Sequence, residues 1–430
     1  MAGEGAASSQ VGSPVDAMAV VAAVDGVLAS DYPRLDALYK DIHAHPELAF
    51  QETRSAAKLA KELREIGFTV TEHVGGTGVV GIYKNGEGPS VMVRTELDAL
   101  PVEEKTGLPY ASHVKATDQG RETYVDHACG HDIHMATWVG TARALVALKA
   151  KWKGTLVFVA QPAEETVSGA KAMIDDGFFK RFGKPDYGFA LHTSPAPAGT
   201  IIYRAGAISS NSDALDLTFN GRGAHGSSPA DSIDPVLMAA RFTVDVQSVI
   251  SREKDPAAFG VVTVGAIQTG MAGNVIPDTA VLRGTIRTFD DGVRGKILDG
   301  VARTAKAVAD MAGAPPPDFK ITPGAKAVVN DPELTAKTAA VFKQAFGAKV
   351  LQIPAPASGS EDYSEFIQGG VPSMYFFVGG YDPAVIAEDQ KNHTAVPMNH
   401  SPYFAPAPAL AIKPAVEAMA LAVISVLSAG

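Results

Sequence analysis

Residue types that bind metals are concentrated in one short stretch of this sequence, residues 126–134 (DHACGHDIH). These nine positions hold three histidines, two aspartates and Cys129, the only cysteine among 430 residues. A single cysteine cannot form an internal disulfide, so its place among histidines needs another explanation. Thiolate, imidazole and carboxylate groups together are ligands for Zn²⁺ or another divalent first-row metal. The stretch therefore predicts a metal site.

Further candidate ligands follow predicted strands elsewhere in the chain. Residues 161–165 (QPAEE) come after a strand through Phe158, and His192 ends another strand. His400 lies in residues 399–402 (NHSP), near the C-terminal helix. In open α/β sheets, ligands gather outside the carboxyl ends of the strands. Together with Cys129 and His131 these residues provide a five-ligand set. Such a set is enough for two metals that share a bridging water.

The elements that must position these residues alternate between short β-branched runs and helical patterns, which predicts an α/β fold. Predicted helices span 35–44, which Pro46 ends, and 53–66. Helical spacing after the His/Cys stretch predicts a helix that begins directly after it. Predicted buried strands span 79–83, 90–94, 154–161, 187–192 and 373–378.

The middle of the chain has a different order of predicted elements. Strands at 213–220, 260–268, 280–289 and 318–322 and helices at 235–250 and 293–311 follow the order β-α-β-β-α-β. This order is the split βαβ of a ferredoxin-like domain. We therefore predict a large α/β domain interrupted by a small inserted one. The predicted divisions are a flexible N-terminal tail and lead-in (1–30), a first catalytic part (31–208), the inserted domain (209–322) and a second catalytic part (323–430).

Composition excludes several classes of function. The net charge of −10 and the pI of about 5.6 argue against nucleic-acid binding, which needs a basic face. No apolar run approaches the length of a membrane span, so no membrane association is expected. The N-terminus has no Lys or Arg before Arg34 and lacks the basic start of a signal peptide. The default expectation is a cytoplasmic protein, and the alternative is an exported protein whose leader is absent from this chain.

Ordered motifs along nearly the whole chain resemble the co-catalytic dimetal family of aminoacylases and carboxypeptidases. The resemblance is greatest to its N-acyl-amino-acid amidohydrolase branch, which includes hippurate hydrolases and auxin-conjugate hydrolases. The motifs are 43–47 (HAHPE), 94–101 (RTELDALP), 129–132 (CGHD), 162–165 (PAEE), 223–225 (GAH), 273–277 (GNVIP), 284–287 (GTIR), 360–363 (SEDY) and 399–402 (NHSP). The resemblance implies a metallopeptidase-type α/β catalytic domain with an inserted ferredoxin-like lid and dimerisation domain. It therefore also implies a homodimer or higher homo-oligomer.

The resemblance also implies roles for individual residues of the catalytic domain. Glu164 would be the general base, beside a ligand but not itself one, which suits proton transfer from a water whose pKa a metal has lowered. Asp98 would be a carboxylate that orients an imidazole ligand. Two divalent ions are expected, Zn²⁺ because a thiolate and several imidazoles suit it, with Mn²⁺ as the alternative. The implied metal ligands are Cys129, His131, Glu165, His192 and His400.

In the inserted domain the resemblance assigns substrate contacts to three residues. Arg287 suits bidentate recognition of a carboxylate. Asn274 can donate from its side-chain amide, and His225 can polarise the scissile carbonyl. His225 can also serve the active site of a partner subunit. Two positions depart from the family pattern, Ile133 for a small residue and Glu96 for Asp, and both are expected near the metals, where they can reshape the pocket.

The predicted function is hydrolysis of the amide bond in N-acyl or N-aroyl amino acids, or in related carboxylate-bearing conjugates such as ochratoxin. A similarity to bacterial ochratoxin-hydrolysing amidohydrolases suggests the last example. One alternative is a metallo-dipeptidase or carboxypeptidase acting on short peptides. Others are a serine hydrolase using a Ser-x-x-Lys site (55–58, 168–171 or 251–254) and a non-catalytic metal-binding relative. The Gly-x-Gly-x-x-Gly pattern at 76–81 enters a predicted strand rather than a helix, which argues against a dinucleotide site.

Overall fold

The structure is a computed structural model that describes residues 15–428 and divides into two compact units. Of the described residues, the first unit contains 15–206, then Val329–Ala355, and 365–428. The second unit contains Ala207–Val328 and Pro356–Ser364. Part of the predicted N-terminal tail, residues 1–14, lies outside the described residues.

The regular elements alternate along the chain as the sequence predicts. The α-helices are α1 (Ala17–His43), α2 (Thr53–Ile66), α3 (His131–Ala147), α4 (Gly169–Asp175), α5 (Phe178–Phe182), α6 (Pro235–Asp245), α7 (Asp291–Ala312), α8 (Pro332–Phe346), α9 (Ser364–Gln368), α10 (Pro383–Lys391) and α11 (Pro408–Leu427). The strands are β1 (Thr69–Val74), β2 (Gly78–Asn85), β3 (Ser90–Glu96), β4 (Lys115–Asp118), β5 (Arg121–Tyr124), β6 (Gly154–Gln161), β7 (Tyr187–Pro197), β8 (Ile201–Tyr203), β9 (Gly206–Ala207), β10 (Asn211–Asn220), β11 (Ala224–His225), β12 (Gly260–Thr269), β13 (Val275–Ile276), β14 (Thr279–Thr288), β15 (Asp318–Pro323), β16 (Val329–Asn330), β17 (Val350–Gln352) and β18 (Ser373–Tyr381).

The first unit is built on an eight-stranded mixed sheet in the order β1-β2-β6-β3-β7-β18-β8-β17. Strand β3 runs parallel to both β6 and β7, and β18 runs parallel to β7. The carboxyl ends of these four strands therefore meet at one edge of the sheet. In open sheets of this kind that edge is where ligands bind. The predicted α/β fold class is confirmed.

Helix α1 begins at Ala17, much earlier than the predicted start at residue 35. Pro33 lies inside this helix, and a proline usually ends or kinks a helix. Val24, Leu28 and Leu35 are all buried on one face, so tertiary packing carries the helix past the proline. The predicted lead-in is therefore largely helical, with Asp16 as its N-cap accepting from the Ala19 amide.

Helix α11 corrects another expectation from the sequence, that no segment has the length and apolarity of a membrane span. Its 20 residues include an 18-residue window of mean hydropathy 1.9, although Lys413 and Glu417 interrupt the apolar run. However, 78% of that window is buried, and α11 packs against α1, α3 and the central strands. Burial of this kind is typical of a core helix.

The second unit contains a four-stranded antiparallel sheet in the order β12-β14-β10-β15. Helices α6 and α7 pack on it around a core that includes Phe219, Phe242 and Ile286. The chain order β10-α6-β12-β14-α7-β15 is the predicted β-α-β-β-α-β.

The bounds of the second unit differ from the predicted 209–322. The unit also takes in residues 356–364, which the sequence analysis assigned to the second catalytic part. Hydrogen bonds explain this assignment: Ala357 donates its amide to Ile208, and Ser210 donates its amide to Gly359. These contacts are with backbone groups, so they leave little trace in the sequence.

Candidate metal centre

The central metal-binding stretch is arranged by the start of helix α3. The helix begins at His131, inside the His/Cys stretch rather than after it as predicted. Gly130 is its N-cap, with a left-handed φ of 88° that favours glycine. A Cβ at this position would lie 3.3 Å from the ring of Phe404. Gly130 thus lets the chain turn between Cys129 and His131 while both stay buried.

The Cys129 thiol lies at the meeting point of three other candidate ligands. Its Sγ is 3.3 Å from Nε2 of His192 and 3.3 Å from Nε2 of His400. His400 Nε2 is in turn 3.5 Å from Oε2 of Glu165. His192 lies within strand β7, which continues to Pro197 and does not end at His192 as predicted. The fold therefore brings together residues from four distant segments of the chain.

His131 is the fifth candidate ligand. Its Nδ1 hydrogen-bonds the backbone carbonyl of Asp98 at 2.8 Å, so the proton is on Nδ1 and the lone pair is on Nε2. That Nε2 is fully buried, has no hydrogen-bond partner among the described residues, and lies 3.7 Å from Glu164 Oε2 and 3.8 Å from Glu165 Oε1. A buried imidazole lone pair facing two carboxylates is stable only with a cation or a water between them. The donor set therefore fits a divalent metal.

Burial keeps the imidazole rings of the candidate ligands in the neutral form that binds metals. Desolvation lowers the pKa of His192 to about 3 and holds the pKa of His131 well below its usual value, so both rings are neutral. Burial raises the pKa of the Cys129 thiol well above its ordinary value. A cation at this site would offset the cost of the buried thiolate, which links metal binding to loss of a proton.

Asp98 acts differently from the sequence prediction. Its backbone carbonyl, not its carboxylate, orients His131, because Oδ1 is 3.7 Å from His131 Nδ1. The carboxylate instead accepts hydrogen bonds of 3.0 Å from the backbone amides of Glu164 and Glu165. Burial, with a smaller effect from the charge of Glu52, raises the pKa of Asp98 to about 7.

Asn399, which lies in the motif at 399–402 (NHSP), has a supporting role that the sequence does not predict. Its Nδ2 donates to the backbone carbonyls of Cys129 at 3.0 Å and Thr193 at 3.3 Å. Thr193 O also accepts from His192 Nδ1 at 2.8 Å. His400, next in the chain, has a left-handed φ of 71° and donates its amide to Ala128. Asn399 therefore connects three segments that carry candidate ligands.

His134 belongs to the supporting structure rather than to the ligand set. Its Nε2 accepts from the Thr193 amide at 2.8 Å, and its Nδ1 is 3.0 Å from Oε2 of Glu96. Both ring nitrogens are therefore used. Glu96 also pairs with Arg94, and all three side chains are buried. No residue pattern shows that His134 differs from its neighbour His131, because the distinction depends on which way each ring faces.

The predicted substrate-binding residues lie in the second unit. His225 and Asn274 are brought together by a two-stranded ladder, in which His225 pairs with Val275 and Asn274 O accepts the amide of Gly226. Both residues are exposed. Arg287 lies in β14, is partly buried, and donates to Ser360 Oγ at 2.8 Å.

The α/β sheet and the thiol, imidazole and carboxylate groups near its strand ends define the class of this protein as a metalloprotein with an α/β fold. The chain belongs to peptidase family M20/M25/M40, whose sequence profile matches residues 92–397. Hydrolases of carbon–nitrogen bonds make up this family, so the predicted family and enzyme class are confirmed.

Individual relatives span most of the chain. It is 36% identical to the hippurate hydrolase of Campylobacter jejuni over 332 residues, which cover 76% of this chain and 83% of that protein. It is also 36% identical to thermostable carboxypeptidase 2 of Saccharolobus solfataricus over 345 residues, 79% of this chain and 84% of that protein. Among solved structures, a Bacillus subtilis protein described as a dinuclear metal-binding peptidase of the M20 family aligns with a TM-score of 0.75 at 28% identity. That alignment covers 93% of this chain and 99% of the other.

Proposed function

We propose that this protein is a dimetal amidohydrolase that cleaves the amide bond of N-acyl amino acids or related conjugates with a free carboxylate. The observation that carries the proposal is the placement of two adjacent carboxylates at one turn. Glu165 faces His400 at 3.5 Å, and Glu164 faces His131 at 3.7 Å. One carboxylate can hold a cation while its neighbour takes a proton, which amide hydrolysis by an activated water needs. The hippurate hydrolase relative supports this substrate class.

Two overlapping groups of donor atoms support two ions rather than one. Several groups of candidate donor atoms occur among the described residues, and two of them share the thiol: Cys129, Glu165 and His400 form one, and Cys129, His131 and His192 form another. Within each group the donor atoms lie within 4.8 Å of one another. The thiol belongs to both groups, so Cys129 is the natural ligand to share. Zn²⁺ is our choice because of the thiolate and the imidazoles, and Mn²⁺ is the alternative.

The residues of this chain then divide the chemistry as follows. When bound, the metal ions supply Lewis acidity that lowers the pKa of water and polarises a carbonyl. Glu164 accepts the proton from the attacking water and passes it to the leaving amine. Asp98 holds the backbone of the turn that carries Glu164 and Glu165. In the second unit, Arg287 binds the substrate carboxylate and His225 polarises the scissile carbonyl. Asn274 donates a hydrogen bond from its side-chain amide.

We also propose that the protein is a homodimer that associates through the second unit. Helix α6 of this unit exposes three apolar side chains, Val236, Leu237 and Val244, the last at 71%. An exposed apolar group of this kind often marks a protein interface. Light scattering of the purified protein measures the oligomeric state directly.

The function is tested with a panel of amides varied on each side of the scissile bond. The panel includes N-benzoyl and N-acetyl amino acids, short peptides and ochratoxin. We expect turnover of the N-acyl amino acids, loss of activity on chelation, recovery on adding Zn²⁺ or Mn²⁺, and no effect of a serine-directed inhibitor. Activity that survives complete metal removal would exclude the proposal.

A metallo-carboxypeptidase is the second candidate, because thermostable carboxypeptidase 2 is as similar to this chain as the hippurate hydrolase is. The same panel separates the two candidates. A carboxypeptidase would cleave peptides with a free α-amino group faster than the matching N-acyl amino acids.

A further inference from the structure

The turn that carries Glu164 and Glu165 is held by two buried carboxylates, and only one of them has a role so far. Three successive backbone amides of this turn donate to carboxylate oxygens. Glu164 and Glu165 donate to Asp98, as described above. Ala163 donates to Oε1 of Glu52 at 2.8 Å. Glu52 lies 111 residues away in the chain.

Glu52 lies at the start of a helix but does not cap it. It directly precedes helix α2, where an acidic residue usually caps the first turn, but its side chain makes no capping hydrogen bond. Glu47 caps this end of α2 instead, because its carboxylate accepts from the amides of Arg54 at 2.9 Å and Ser55 at 2.7 Å. The Glu52 carboxylate is therefore free to turn inward, where it is fully buried.

The remaining contacts of Glu52 lock its carboxylate in place. Oε1 also accepts from the Phe50 amide at 2.9 Å, and Oε2 accepts from Thr77 Oγ1 at 2.5 Å. Both oxygens therefore have fixed donors before the turn is considered. A side chain held this firmly can impose a position on the Ala163 amide.

The turn needs an external support because its backbone is strained. Ala163 has a φ of 50° and Val167 has a φ of 53°, both in the left-handed region that residues with a Cβ avoid. Such conformations persist only when surrounding contacts over-determine them. The Glu52 contact is made at Ala163, the residue directly before Glu164.

We propose that Glu52 is a positioning residue, which fixes the Ala163 amide and thereby aims Glu164 and Glu165 at the metal centre. This inference rests on the proposed function, since it gives those two residues their roles. Glu52 touches neither substrate nor metal. Its effect passes through the backbone of the turn.

The test compares substitutions at two glutamates of the same unit. Glu52→Met keeps the length of the side chain but removes both acceptor oxygens. Glu52→Gln keeps an amide oxygen that can still accept from Ala163. Glu52→Asp keeps the charge but is one methylene too short to reach, so it replaces the Met variant if that variant does not fold. Glu47→Met is the matched control, because the Glu47 carboxylate also accepts from two backbone amides, those of Arg54 and Ser55, but neither amide belongs to the turn.

Each variant is stripped of metal and titrated with Zn²⁺ against a chromophoric chelator, and its kcat, KM and Tm are then measured after reloading. For Glu52→Met and Glu52→Asp we expect Zn²⁺ affinity and kcat to fall by about 10- to 100-fold, the usual effect of losing a residue that supports a ligand. KM should change little, because the residues that we propose bind the substrate, His225, Asn274 and Arg287, lie in the second unit. Glu52→Gln should stay near wild type in Zn²⁺ affinity, kcat and KM.

Glu47→Met should lower Tm without changing Zn²⁺ affinity. The inference is overturned if Glu52→Met binds Zn²⁺ as tightly as Glu47→Met does, or if Glu52→Gln loses as much as Glu52→Met. Absence of Zn²⁺ binding by the wild-type protein would instead refute the proposed function, so the two failures are distinguishable.

Discussion

Replacing Glu164 by Gln tests the assignment of the general base. The side chain is 9% exposed, and the Glu164 amide is held by Asp98, so a side chain of the same shape should leave the turn in place. Gln cannot accept the proton, and a general base typically contributes about 10²- to 10⁴-fold in rate. This loss corresponds to about 3–5 kcal/mol of transition-state stabilisation. We therefore expect kcat to fall by that factor in steady-state hydrolysis of an N-acyl amino acid.

The neighbouring Glu165 supplies the matched control. Glu165→Gln should lose metal and activity together, because Glu165 Oε2 faces His400 in a candidate ligand group. Glu164→Gln should keep a metal content near wild type, measured by elemental analysis of the same preparations. If Glu164→Gln retains more than about a tenth of wild-type kcat, Glu164 is not the base. If it loses as much metal as Glu165→Gln, Glu164 is a ligand instead.

Three further predictions concern other parts of the molecule. Cys129→Ser should weaken metal binding and activity together, with recovery in excess metal, because a hydroxyl is a poor substitute for a soft thiolate; unchanged metal stoichiometry would assign Cys129 to packing. Arg287→Ala should lower kcat/KM about 10- to 150-fold on a substrate with a free carboxylate, from about 1.5–3 kcal/mol for a charge-assisted hydrogen bond, and much less on its methyl ester. Equal losses on acid and ester would refute the carboxylate role. Burial, and then the neighbouring Asp25, raise the pKa of Glu417 in α11 to about 8 from an ordinary 4.5, so the folded state binds the extra proton and stability should fall as pH rises from about 4.5 to 8. Thermal unfolding against pH should show that Glu417→Gln removes this decline, and an identical decline in the variant would contradict the assignment.

Helices and strands that have a clear apolar periodicity and a turn signal beside them were predictable from the sequence. The predicted bounds of α2 (Thr53–Ile66) and β6 (Gly154–Gln161) match the structure, since each has a strong apolar pattern and a turn beside it. The start of α1 was not predictable, because Pro33 locally signals a break that packing against α3 and α11 overrides. Tertiary contacts of this kind have no local signature.

The candidate site was likewise predictable only in part, because some of its residues act through tertiary contacts. The ligand types were recognisable because few residue types bind metals, and they cluster at strand ends. Glu52 and Asn399 escaped notice because their partners are backbone groups 111 and 270 residues away. Any residue type presents the same amide or carbonyl, so such contacts place no constraint on the partner's identity. Only the fold shows that these two side chains support the ligand-bearing turns.

The two departures from the family pattern, Glu96 and Ile133, are both buried inside the first unit. Glu96 hydrogen-bonds His134 at 3.0 Å and pairs with Arg94, so its carboxylate is used in a buried network behind the ligands. Ile133 is 1% exposed and packs in the main hydrophobic core of the first unit. Neither side chain is exposed at the surface of the first unit. Differences in substrate choice between this protein and its relatives should therefore come from other positions, and the exposed residues of the second unit around His225 and Asn274 are the first to exchange.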